Sequence, residues 1–218
     1  MENTRTKTTR NSLILLLTAA IWGMAFVSQS KGMDYMHPFT FNGVRSLIGA
    51  ASILVYILIS RKIAKVKAAP LDWKLNVKAG LLCGIFLTIA STLQQFGIKY
   101  TSVGKAGFIT TLYIIFVPMF GIFLKKKVAP VVWAAAVMAA VGMYLLCMTE
   151  SLRLGAGDIM VFLCAIAFAI QIMTVDHYAA RIDGAVVSCI QFTVCGVVCC
   201  IGALTVSYTH LTLPTKRI

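Results

Sequence analysis

Charge is what this chain has least of. Only 12% of its 218 residues are charged, against about 25% in soluble globular domains. Meanwhile 59% are hydrophobic and the mean hydropathy is +0.87, more apolar surface than a soluble fold can hide. Acidic residues are scarcer still, seven against 20 basic ones, for a net charge of +13. That excess does not point to nucleic acid, because Lys and Arg stand in short clusters between apolar runs, with no basic surface interleaved with aromatics. Catalytic signatures are missing too: no Gly-rich phosphate loop, no H-E-x-x-H, no serine elbow and no paired intramembrane carboxylates. This argues against an enzyme. Cys83, Cys147, Cys164, Cys189, Cys195, Cys199 and Cys200 all fall within apolar runs. Without a C-x-x-C pair or a nearby His they read as small buried hydrophobes, and neither a metal nor a cofactor is expected.

What the chain does have is length in its apolar runs. Seven can be drawn: Ser12 to Ser30, Pro38 to Ser60, Ala79 to Gly97, Gly107 to Leu124, Val131 to Met148, Asp158 to Val175, and Ala185 to about Thr205. Each approaches the roughly 20 residues that cross about 30 Å of hydrocarbon. Helices satisfy their own backbone in lipid, and the short alternating segments of a β-barrel are absent. The sequence therefore predicts an all-α, polytopic membrane protein with the lipid bilayer as its main partner. The first run lacks a small-residue cleavage site and continues through Trp22 and Gly23, so it reads as a retained helix.

Positive charge sets the orientation. One side collects Arg5, Lys7 and Arg10, then Arg61, Lys62, Lys65, Lys67, Lys74 and Lys78, then Lys125 to Lys127, then Arg181; the other has Lys31, Lys99, Lys105 and Arg153. The N-terminus is expected in the cytoplasm.

Polar residues inside the runs are candidates for a cavity. Asn42, Arg45, Gly49 and Ser52 share one face of the second run by their three- and four-residue spacing. Arg45 can line a water-filled cavity there, or snorkel to the nearby interface. Thr88, Ser91, Thr92 and Gln95, with Gln94 beside them, form a stripe on the third run. They either bond across helices or face a polar substrate. Tyr113 precedes Pro118, which is expected to bend the fourth helix. Trp22 lies in mid-helix, where an aromatic belt does not explain it. Gln171 lies well inside the sixth run, and Asp176 and His177 near its end suit either a proton relay or a solvated terminus. Gly80 and Gly84 form a G-x-x-x-G, and Ala135, Ala139 and Gly142 align on the fifth run; both are expected at helix contacts.

The run Leu17 to Arg45 can be laid on Phe162 to Gln191 with one gap. Five helices separate the copies, and an odd number inverts the second copy in the membrane, as in transporters that alternate access around a central site. Three further pieces carry a resemblance. They are Ile21-Trp22-Gly23-Met24-Ala25-Phe26-Val27, Asn42-Gly43-Val44-Arg45, and Ile98-Lys99-Tyr100-Thr101-Ser102-Val103-Gly104-Lys105-Ala106-Gly107-Phe108-Ile109 leading to Pro118. In this order residues 1–150 resemble one EamA-type unit of the drug/metabolite transporter superfamily, and the resemblance resumes at Gly157-Asp158.

The resemblance implies ten helices in two inverted five-helix repeats, with seven present here. Residues 157–205 would begin the second repeat. It implies secondary-active transport of a small metabolite, outward across the cell (inner) membrane, with a coupling proton or ion and a homodimer as further partners. It would place Trp22, Asn42, Arg45, Gln95 and Tyr113 at or near the cavity. The alternative is a non-transporting multipass scaffold or assembly partner. Residues 206–218 resemble translated sequencing adapter, so a fragment that does not transport by itself is expected.

Overall fold

The computed structural model of the chain describes residues 2–64, 72–125, 128–147 and 155–212, with backbone alone at 2–7, 64, 143, 146–147 and 207–212. Lys65, Lys67, Lys126, Lys127 and Arg153 of the charge count and the tail at 213–218 lie outside the described residues, as does the side chain of Cys147. Among the described residues there are eight α-helices: α1 (Glu2–Gly32), α2 (Pro38–Ala64), α3 (Trp73–Tyr100), α4 (Val103–Thr111), α5 (Tyr113–Phe123), α6 (Pro130–Cys147), α7 (Ala156–Tyr178) and α8 (Gly184–Thr212). Six spans are long and apolar enough to cross a membrane, α4 and α5 together forming one of them, and α6 supplies a shorter apolar stretch. The chain is an all-α polytopic membrane protein. Its outward faces agree, with Leu13 to Leu17, Leu54 and Tyr56 all exposed, as residues solvated by lipid would be.

Local chemistry starts the helices where the sequence allows it. Pro38 and Pro130 open α2 and α6, where a missing N–H costs nothing. Asp72 accepts from Leu75 N–H at 3.1 Å to cap α3, Ser102 accepts from Lys105 N–H at 3.3 Å to cap α4, and Asp183 accepts from Ala185 N–H at 2.9 Å ahead of α8. Several boundaries differ from the sequence reading, α1 beginning at Glu2 and α3 at Trp73, ahead of the apolar runs they contain. The fourth span is interrupted at Leu112, ahead of Pro118, which lies inside α5. The last helix runs on to Thr212, since nothing before Pro214 breaks it.

The helices are not packed evenly. α3 is the central post, lying against both α7 and α8, and α2 lies against α8. A Cβ on Gly80 would stand 2.6 Å from Ile190, and one on Gly84 2.8 Å from Val194, so the G-x-x-x-G lets α8 approach α3 closely. On α2 and α8 the fit is reciprocal: a Cβ on Gly43 would stand 2.8 Å from Cys200 Sγ, and one on Gly196 2.7 Å from Leu47. The start of α2 thus meets the end of α8, and the two run antiparallel. At Gly142, expected at a contact, a Cβ would instead meet nothing within 4 Å among the described residues, although Ala136 of the same helix is buried.

Candidate functional site

The polar stripe of α2 and that of α3 meet over α8. Asn42, fully buried, donates through Nδ2 to Ser91 Oγ at 2.8 Å and lies 3.5 Å from Cys199 Sγ. Its carbonyl accepts from the Arg45 guanidinium at 2.8 Å. Ser46 Oγ–H donates to Cys195 Sγ at 3.4 Å, and Ser91 Oγ is equally close to that sulfur. Thr92 reaches Cys199 at 3.7 Å. Asn42 therefore links an arginine at the bundle surface to a row of hydroxyls and thiols inside it, using donor and acceptor ends alike. Arg45 itself stays exposed and leans over the Phe41 ring, 5.7 Å from its centroid.

The remaining candidates disperse. Thr88 Oγ–H returns to the Gly84 carbonyl of its own helix at 2.7 Å. Gln94 donates to Thr110 Oγ1 of α4 at 3.3 Å, and Gln95 turns to α1, where Nε2 lies 3.5 Å from the Gln29 carbonyl. Gln171 donates to Gln191 of α8 at 3.0 Å. Tyr113 is half-buried beside the Leu112 break, Pro118 is buried, and Trp22 is exposed on α1 away from the network.

Two features escaped the sequence. Cys195 and Cys199 enter the polar network although apolar neighbours made them read as filler, and their i, i+4 spacing facing Ser46 and Asn42 was the available signal. The second is a cavity of about 560 Å³ between α3, α5 and α7, lined by Leu82, Phe86, Phe120, Ile170, Met173 and His177 among others. Phe120 of this lining stacks on Phe116 one turn earlier, 6.1 Å between centroids. Aromatics at that spacing also describe an ordinary core, so the sequence alone did not separate cavity from packing. His177 lines this space and sets its ring edge-on to Tyr178 at 4.8 Å.

At the far end of α3 the motif that follows Lys99 has a visible task. Asp158, 3% exposed, accepts from Thr101 Oγ1, from Gly155 N–H at 2.9 Å and from Lys105 Nζ at 3.5 Å. The Thr101–Lys105 turn is thereby clasped to the first turn of α7, and the carboxylate sits favourably at that helix N-terminus. At the opposite end Asn76 Oδ1 accepts from Asp183 N–H at 2.9 Å, holding the turn before α8 against α3.

One contact is incomplete. Gln29 and Gln95 are both buried, and among the described residues neither side-chain oxygen has a hydrogen-bond partner, at a cost of about 1–3 kcal/mol apiece.

Residues 10–148 match the EamA-like transporter family. The chain is also similar to an uncharacterized transporter of Archaeoglobus fulgidus, 31% identical over 171 residues, covering 76% of this chain and 48% of that protein. It thus spans about half the length of the curated relative it matches. No solved structure matches it.

Proposed function

The chain belongs to the EamA-like transporter family, and from that premise we propose that it is part of a secondary-active permease that carries a small metabolite outward across the cell membrane. Residues 1–150 form the first five-helix repeat, α7 and α8 begin the second in inverted orientation, and the N-terminus is cytoplasmic. The observation that carries this reading is the antiparallel, reciprocal meeting of α2 and α8 through Gly43 and Gly196. These helices hold corresponding places in the two repeats, with Arg45 laid on Gln191, and a pair related by a two-fold axis in the membrane plane would meet in this way. Rocking of one repeat against the other would open and close the space beside α3. The cavity between α3, α5 and α7 receives the apolar body of the substrate, and the Asn42–Arg45–Ser91 network stands beside the same central helix.

Metabolite profiling of cells carrying the gene as read from its own locus tests this. Against cells without the gene, one small metabolite is expected to fall inside and rise in the medium. Arg45→Ala at unchanged protein level is expected to reduce that efflux about tenfold. No difference in any metabolite would favour the multipass scaffold instead.

A further inference from the structure

The incomplete contact between α1 and α3 points to a ligand. Gln29 is 3% exposed and Gln95 0%, and both side-chain oxygens lack partners among the described residues. The residues touch through Gln95 Nε2 and the Gln29 carbonyl, so the donor end of Gln95 is committed to α1 and lone pairs remain. No described cation answers them: Arg45 donates to Asn42, Lys105 pairs with Asp158, and Lys31 and Lys99 are exposed, Lys99 over the Tyr100 ring. One turn away the surroundings are apolar, with Phe26 packed on the cluster of Ile98, Ala106, Ile109 and Val161. What completes the site must bring positive charge or hydrogen-bond donors, and two neutral carbonyl oxygens without a carboxylate suit one charge better than two.

We propose that the Gln29–Gln95 contact binds a small monocation, either free sodium or the ammonium head of a metabolite, seated between α1 and α3. The main contacts of α1 are with α3 and α4, so a cation shared by Gln29 and Gln95 ties the most loosely packed helix to the central one. The transporter reading gives this site its purpose, while its occupancy is measurable without transport.

The test is the thermal midpoint of the purified full chain in detergent, in sodium chloride, methylammonium chloride or choline chloride at equal ionic strength. Choline, with no N–H and a bulky head, is the control. A saturable rise of about 3 °C over choline is expected in sodium or in methylammonium. A response to sodium alone identifies the free ion, and one to methylammonium alone the amine head. The Gln29→Leu/Gln95→Leu pair removes both orphan oxygens at similar volume, so its midpoint in choline should equal or exceed the parent's, with no cation response. Equal midpoints of the parent in all three salts would overturn the proposal, as would a rise that survives in the double variant. Should the double variant not fold, the parent's comparison decides alone. No efflux in the metabolite profiling, with the cation response intact, would count against the permease reading and leave this site standing.

Discussion

Helices α1 and α3 are both apolar enough to span a membrane, yet 44% of the most apolar stretch of α3 is buried and none of that of α1. The difference lies in where small residues fall. A Cβ on Gly80, Gly84 or Gly97 of α3 would crowd a side chain or backbone of α7 or α8, whereas one on Gly23 of α1 would meet nothing within 4 Å among the described residues. In lipid, apolarity does not drive one helix onto another, because the tails are as apolar as leucine. Close approach of backbones, and the polar groups that then bond across the gap, decide which helices form the packed centre. That centre is α2, α3, α7 and α8, two helices from each proposed repeat.

The contrast breaks most directly at the α3–α7 crossing. A Cβ on Gly97 would lie 2.9 Å from the Gly157 carbonyl, and one on Gly157 2.8 Å from the Tyr100 backbone. Gly97→Leu is expected to cost about 3 kcal/mol, read as a lowered unfolding midpoint in detergent; an unchanged midpoint would mean that close approach is not what holds the centre. Next in size is the clasp at the end of that crossing. Asp158→Ala removes the acceptor of the Gly155 N–H, Thr101 and Lys105 and should cost about 2 kcal/mol, while Asp158→Asn, which keeps an acceptor for Thr101 and Gly155, should lose less. A larger loss with Asn than with Ala would refute the hydrogen-bonding account of Asp158. The smallest effect belongs to α1: Gly23→Ala fills open space and should raise stability by no more than about 1 kcal/mol through helix propensity. A clear loss there would show that α1 is packed after all.

Much of the fold was legible beforehand. All seven apolar runs correspond to helices, two of them α4 and α5 in one run, and the expected contacts at Gly80 and Gly84 exist. Gly142 looked equivalent on spacing, yet a Cβ there would meet nothing among the described residues, because spacing names a face of a helix without naming its neighbour. In the candidate site, the face shared by Asn42 and Arg45 and the stripe containing Ser91 were both visible. Their junction was not, since it depends on α8 bringing Cys195 and Cys199 between them. Gln94 and Gln95 stand side by side in sequence yet serve α4 and α1 respectively, a divergence of about 100° around the helix.

From the sequence alone came the membrane as solvent, the helical spans and the expected sidedness, since each rests on local sums: about 20 apolar residues per crossing and the charge of each connecting segment. Only the tertiary structure decided which helices are central, that α2 and α8 meet antiparallel, and that Gln29 and Gln95 are left with open acceptors. Those outcomes depend on a few steric approaches between residues more than 50 positions apart, and lipid offers no uniform attraction from which to infer them.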